Sequence, residues 1–324
     1  MEWMLLGLPV GIVLLYLGSE WMVDGAKKMA LRLGVTPFMV GLTVVAFGSS
    51  APEAVTSLVS TANPQIIIGN VVGSNIANIG LAIGLAALIS PIASRYGEIR
   101  FEIISAVFSV ALLTLLALNG TIGPVEGAAL VASLLVFVYL VYRLKKDRPK
   151  RAPEAACCSE PAEEVRKTSL MVCIVMVAVG ILALYFGAKA FVEGAKVLAS
   201  MMGVSDLMIG LIVVAVGTSL PELCICIMAA YRKENDIVVS NILGSVVFNC
   251  FFALGIGALL VDIPVTHYMM AFHMPVMVAF TVLLALMIRS GNSVRRWEGA
   301  VLLILYSGYI AAMAVWPQLT SGVL

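Results

Sequence analysis

Two short segments set a carboxylate among hydroxyls, a glycine and a proline inside long apolar runs. The first reads Gly48-Ser49-Ser50-Ala51-Pro52-Glu53 and the second Gly217-Thr218-Ser219-Leu220-Pro221-Glu222. An ionisable side chain at that depth in a membrane costs about 3 kcal/mol or more, so it is rarely found there without a partner or a polar cavity. Ser49 and Ser50 stand four and three residues before Glu53, on one helical face with it, and Thr218 and Ser219 stand in the same relation to Glu222. The glycine and proline weaken each helix and free backbone carbonyls, which a membrane tolerates only where they line a cavity. The following apolar run in each case carries a polar stripe at a spacing of four: Asn70, Ser74 and Asn78, then Asn241, Ser245 and Asn249. Gly69, Gly73 and Gly244 beside these stripes allow a neighbouring helix to approach closely. Taken alone, the stripes fit interhelical hydrogen bonding as well as ligand binding. Two carboxylates in matching positions turn the weighing toward binding. The groups on offer are carboxylate, amide, hydroxyl and carbonyl oxygens, with no His or Cys in either motif. Such a set suits hard cations such as calcium, sodium or magnesium rather than zinc or copper. Neither motif holds a Lys or Arg, which argues against an anionic substrate.

The elements that position these groups are membrane spans. Of 324 residues, 61% are hydrophobic and 12% charged, and the mean hydropathy is +1.05. A soluble domain carries about a quarter charged residues, so this chain faces lipid over most of its surface. The net charge of +1 leaves no footprint for nucleic acid. Apolar runs of the required ~20 residues lie near 4–23, 37–62, 66–90, 101–119, 123–143, 169–200, 206–231, 236–260, 268–288 and 297–316. Glycine, proline and serine within the second, third, seventh and eighth runs predict interrupted helices. The start Met1-Glu2-Trp3 has no basic n-region, so the first run reads as a helix that stays. With the N-terminus outside, 18 of the 20 Lys and Arg fall in cytoplasmic connections, and only Lys189 and Lys196 do not. That bias supports both the ten spans and the orientation. The segment Lys145 to Lys167 reads as a polar linker that need not fold. Cys173, Cys224, Cys226 and Cys250 lie in apolar stretches and read as small buried hydrophobes, whereas Cys157 and Cys158 lie in the linker.

The chain also repeats itself. Gly18 to Glu53 aligns with Gly187 to Glu222 at a constant offset of 169, with 18 of 36 positions identical. Further on, Gly73-Ser74 pairs with Gly244-Ser245 and Asn78 with Asn249 at an offset of 171. Each copy holds five spans, an odd number, so the second must enter the membrane from the opposite side. The expected fold is all-α, with ten transmembrane helices in two inverted five-helix repeats and broken helices at the centre. Residues 1–143 form the first repeat, 144–168 a cytoplasmic linker and 169–324 the second repeat. Inverted repeats of this kind carry secondary transporters, whose sites sit near the midplane on broken helices.

The pattern Gly-Ser/Thr-Ser-x-Pro-Glu followed by Gly-Asn-x-x-Gly-Ser-Asn resembles the two alpha-repeats of the cation/calcium exchanger superfamily, especially its sodium/calcium exchangers. The ten-span layout with a polar loop after the fifth span is similar to that of the compact prokaryotic members. The resemblance implies a cluster of four cation sites between the second, third, seventh and eighth spans. Glu53 and Glu222 would be the central shared ligands, joined by Asn78 and Asn249. Ser50, Ser219, Ser74 and Ser245 would serve outer sodium positions, with Thr218, Ser49 and the carbonyls of Ala46 and Ala215 completing the shells. The chain departs from the family pattern at Ser240, where Gly is usual, at Val246, where the first repeat has Asn75, and at Ser49, where Thr is usual. Ser240 and Val246 fall off the stripe, so packing rather than coordination is where they should act. Family members carry either Asp or Asn at the position of Asn249, and two formal charges suffice to neutralise one calcium.

Among the remaining ionisable residues, Asp24 and Glu193 occupy matching places near the end of the first and sixth spans. For Glu193, a solvated position or a pair with Lys189 or Lys196 outweighs a role in ion entry. Asp262 reads as a loop residue, and His267 and His273 as interfacial residues flanking the ninth span. The leading functional reading is a cell-membrane antiporter exchanging sodium for calcium by alternating access, with those ions and the bilayer as partners and no cofactor. A cation/proton antiporter on the same scaffold is the alternative. A channel would need rings of acids around a symmetric pore, and an enzyme a nucleophile with a paired base, neither of which is evident.

Overall fold

A computed structural model of the chain describes residues 5–146, 168–202 and 215–316. These residues form ten helical segments. The first five are α1 (Gly7–Leu33), α2 (Pro37–Val59), α3 (Pro64–Ile89), α4 (Tyr96–Asn119) and α5 (Pro124–Lys146). Next come α6 (Leu170–Met201) and α7, which is described from Ala215 and consists of Ala215–Thr218 and Leu220–Tyr231. The last three are α8 (Asn235–Leu260), α9 (Met269–Gly291) and α10 (Arg296–Val315). Eight of the ten are long and apolar enough to cross a bilayer; the others are the charge-bearing α1 and the partly described α7. Residues 206–214 of the seventh expected span, and Cys157 and Cys158 of the expected linker, lie outside the described residues.

Expected boundaries shift where charge is satisfied. The first span extends to Leu33 rather than stopping at residue 23, so Lys27, Lys28 and Arg32 are helical and not part of a connection. Its charged turns find partners on the turn between α7 and α8: Arg232 forks onto Asp24 and Glu20, the latter at 2.5 Å, and Lys27 meets Glu234 at 2.5 Å. The helix ends at Gly34, whose φ of 67° is the left-handed conformation that closes a C-terminus cheaply only with glycine. The fourth helix begins at Tyr96, five residues earlier than its apolar run, and carries Arg100 within it.

Two short antiparallel ladders reveal the symmetry. β1 (Ile92–Ala93) follows α3, β2 (Thr121–Ile122) follows α4, β3 (Ile263–Pro264) follows α8 and β4 (Ser293–Val294) follows α9. β1 pairs with β4 through Ile92↔Val294, and β2 pairs with β3 through Ile122↔Ile263. In the internal repeat Ile92 corresponds to Ile263 and Ile122 to Val294, so exchanging the copies converts one ladder into the other. One crossing, α4, separates β1 from β2, which places the two ladders on opposite faces. β1 and its counterpart β3 therefore lie on opposite faces, and the repeats are inverted.

The packing of α1 on α6 obeys the same exchange. A Cβ on Gly11 would stand 2.8 Å from the Gly187 carbonyl, and one on Gly180 would stand 3.0 Å from the Gly18 carbonyl. Gly11 corresponds to Gly180 and Gly18 to Gly187, so backbone touches backbone at two symmetric points along an antiparallel seam. Around this pair the outer helices turn large apolar side chains outward, among them Val10, Leu135, Val136, Met171 and Leu182. In a membrane protein that surface is the lipid face. α3 and α8 are the most enclosed helices, and they carry the two polar stripes.

Candidate cation site

The breaks expected in the central helices fall at the motifs. Ser50 (φ −86°, ψ 7°) interrupts α2 and Ser219 (φ −92°, ψ 7°) interrupts α7, each two residues before a proline that has no N–H to give the preceding turn. Each glutamate thus sits in the first turn of the helix that restarts after the break, with its side chain fully buried. The stripes bring a second irregularity. Asn78 opens a π-helical turn in α3 (Asn78–Ile83), and Asn249 opens one in α8 (Asn249–Ala253). Such widened turns re-aim side chains and leave carbonyls loosely used, which is why they gather at functional sites. A further π turn, Gly41–Val45, precedes the break in α2.

Hydrogen bonds knit the two repeats together here. Ser50 donates to Glu222 Oε1 at 2.9 Å, and Ser74 donates to Glu53 Oε1 at 3.3 Å while lying 3.3 Å from the Thr218 hydroxyl. Ser49 donates to Asn241 Oδ1 at 3.3 Å. Groups from α2 and α3 are thereby joined to groups from α7 and α8, and the two carboxylates lie within electrostatic reach of each other. Among the described residues, neither carboxylate has a Lys, Arg or His in ion-pair contact.

The atoms without partners are the informative ones. Glu53 Oε2, Glu222 Oε2, Ser219 Oγ, Ser245 Oγ, Asn249 Oδ1 and both amide atoms of Asn78 are buried with no hydrogen-bond partner. Leaving one such group unmade costs about 1–3 kcal/mol, and more for a charged one. The oxygens among them, on facing elements, make a costly arrangement unless a further species accepts their lone pairs. A desolvated cation is the species that oxygen atoms around two anions can hold. Among the described residues no three His, Cys, Asp or Glu come together, so the charge of the cage rests on the two glutamates.

Other expected ligands are placed differently. The Ala46 carbonyl accepts the Ser50 N–H at 3.1 Å and lies 3.3 Å from the Ser49 hydroxyl, whose single proton it shares with Asn241 Oδ1. Ala215 opens the short helix that ends at Thr218. Ser240 is fully buried, donates to the Ile237 carbonyl at 3.4 Å and packs on Gly41, while Val246 is fully buried. Glu193 pairs with Lys196 at 3.1 Å on the surface of its own helix, and Asp262 and His267 are exposed. His273 differs from expectation: it is 1% exposed, within the π turn Met269–His273, and its Nδ1 lies 2.9 Å from the Tyr309 hydroxyl. Helix α9 begins at Met269, so a histidine four residues in is enclosed against α10 rather than left at the interface. Glu102, at the corresponding place in α4, is likewise fully buried. Sequence reasoning also missed how near the cysteines come: Cys250 accepts from Asn75 at 3.2 Å and Cys226 from Asn241 at 3.7 Å. Cys226 lies four residues after Glu222 and Cys250 directly follows Asn249, a spacing that signals proximity.

Comparison with known proteins agrees with this geometry. The profile of the sodium/calcium exchanger protein family matches residues 3–143 and 172–315. Sodium/calcium exchanger MaX1 of Methanosarcina acetivorans is 31% identical, over 94% of this chain and 97% of its own length. An uncharacterized membrane protein of Methanocaldococcus jannaschii is 33% identical, over 94% and 96% of the two chains. The solved structure of the sodium-calcium exchanger NCX_Mj, soaked with 10 mM Na+ and no Ca2+, superposes with a TM-score of 0.82 at 31% identity, covering 97% of this chain and all of that one. With both halves of the chain inside the family profile and the motifs assembled at its centre, this protein belongs to the sodium/calcium exchanger family.

Proposed function

We propose that the chain exchanges sodium for calcium across the cell membrane, binding either several sodium ions or one calcium in the cage around Glu53 and Glu222. The observation that carries this reading is the set of buried oxygens left without partners around two carboxylates. Asn78, Asn249, Ser50, Ser219, Ser74 and Ser245 supply the neutral donors of the cage, with Ser49 and Thr218 behind them. The carbonyls of Ala46 and Ala215, just ahead of the breaks, complete the shells. Alternating access follows from the inverted repeats: exchanging the conformations of two like halves converts an opening on one face into an opening on the other. The orientation with the N-terminus outside and the 144–168 linker in the cytoplasm is supported by 18 of 20 Lys and Arg, which fall in the connections of that side or, like Lys27, Lys28, Arg32 and Arg100, in the helix ends that border them. That β1 and β4 share one face, which brings together the connections bearing Arg95 and Arg295, supports it further.

Two ionised glutamates carry a formal −2, which one calcium or two sodium ions cancel. Resemblance to the sodium/calcium exchangers favours three sodium ions per calcium, the four serines offering neutral positions for the third among hydroxyl and carbonyl dipoles, so that one net positive charge moves with sodium. In proteoliposomes, an imposed membrane potential then changes the rate of sodium-driven calcium uptake. A rate indifferent to potential refutes the three-to-one coupling. Uptake that follows a pH gradient without sodium replaces the reading with proton-coupled exchange on the same scaffold.

A further inference from the structure

Asn75 lies one position off the Asn70, Ser74 and Asn78 stripe, and its counterpart in the second repeat is Val246. It is fully buried in α3, and its amide is engaged at both ends. Nδ2 donates to Cys250 Sγ at 3.2 Å and to Met277 Sδ at 3.6 Å, while Oδ1 accepts from Asn249 Nδ2 at 3.2 Å. The sulfurs decide the orientation: a thioether can only accept and a thiol donates weakly, so the NH2 end of Asn75 belongs on their side. Its oxygen is left for Asn249. Asn249 must then give its own NH2 to Asn75 and turn Oδ1 the other way, and that Oδ1 is one of the buried oxygens without a partner.

Asn78 has no such partner from the second repeat. The residue that would face Asn78 under the repeat exchange is the aliphatic Val246, and neither amide atom of Asn78 has a partner. An unheld amide presents nitrogen or oxygen to a cation with little preference, and only the oxygen binds. Fixing the oxygen in place beforehand removes an ordering cost from the binding step.

We propose that Asn75 is a positioning residue for cation exchange: it pins Asn249 with its carbonyl oxygen turned into the cage and thereby raises the affinity for calcium. The inference rests on Asn249 being a ligand, and Asn249→Ala tests that separately. The decisive measurement is sodium-driven calcium uptake by purified protein in liposomes, read as apparent KM and maximum rate. Asn75→Val, which installs the residue of the other repeat, raises the calcium KM about tenfold, equivalent to about 1.4 kcal/mol, with a smaller change in maximum rate. Cys250→Ala removes one acceptor that orients Asn75 and gives a smaller rise in KM with Asn75 intact, which lost packing at Asn75 would not explain. An unchanged KM in both Asn75→Val and Cys250→Ala overturns the proposal. If Asn249→Ala raises the KM in that same series, only the role of Asn75 has failed. If Asn249→Ala too leaves the KM unchanged, the ligand assignment has failed.

Discussion

Gly41 and Ser240 meet at the seam between α2 and α8, nine residues before the break at Ser50, and their fit allows a quantitative test. A Cβ added to Gly41 would stand 2.0 Å from Ser240 Oγ but 3.2 Å from Ser240 Cβ and 3.4 Å from Ile237 Cα. The severe collision is therefore with the hydroxyl, about 1.5 Å inside van der Waals contact, while Ser240 Cβ at 3.2 Å needs to yield only slightly. The hydroxyl can escape by rotating, at the expense of its 3.4 Å bond to the Ile237 carbonyl. A buried hydroxyl left without a partner costs about 1–2 kcal/mol, which is the expected destabilisation by Gly41→Ala. Ser240→Gly alone gives up the same long hydrogen bond and adds a flexible residue to a helix, at about 0.5–1 kcal/mol. In the double variant the alanine methyl occupies the space vacated by Oγ, and the glycine penalty moves from one helix to the other. Its stability should return to near the parental value, with a coupling of about 1–2 kcal/mol between the two sites. Denaturation midpoints of the four detergent-purified proteins measure this cycle. Additive effects would show that the seam is loose enough to absorb the methyl by another route.

The α1–α6 seam should respond unequally to matched changes. Gly11→Ala drives a methyl to 2.7 Å from the Phe191 backbone nitrogen, whereas Gly180→Ala brings one only to 3.0 Å from the Gly18 carbonyl. Both variants should lose stability, by about 1–3 kcal/mol, with Gly11→Ala the worse; equal midpoints or the reverse order contradict the packing. Arg232→Gln releases the fork onto Glu20 and Asp24, groups about 30% exposed, and should cost about 1 kcal/mol at low salt. Raising the ionic strength should erase the difference between parent and variant, and a difference that persists at high salt would assign the effect to something other than these ion pairs.

Much of the fold was legible because membrane and repeat constrain the chain twice over. Apolar runs marked the helices, and the match between Gly18–Glu53 and Gly187–Glu222 disclosed an inversion that the exchange of β-ladders reproduces in space. Helix ends were less legible: α1 continues ten residues past its apolar run because Arg232 and Glu234, more than 200 residues away, satisfy its charges. The glutamates, serines and asparagines of the cage stood out as polar residues in apolar surroundings. Asn75 did not, since its importance depends on two sulfurs and an amide from other helices and no spacing rule connects them. His273 was misplaced at the interface for the same reason, its enclosure being set by Tyr309 of α10.

The claim at the centre of this account is that Glu53 and Glu222 are two walls of one cation cage. Equilibrium binding of calcium to the purified protein in detergent, without sodium, tests it most directly. Removing one buried charge from a pair that holds a cation should cost about 3 kcal/mol or more, which weakens binding by over about a hundredfold. Glu53→Gln and Glu222→Gln should therefore each lose high-affinity calcium binding while eluting as folded protein. Glu193→Gln, whose carboxylate is on the surface beside Lys196, should bind calcium like the parent. Calcium affinity retained in either Glu53→Gln or Glu222→Gln would contradict the shared cage.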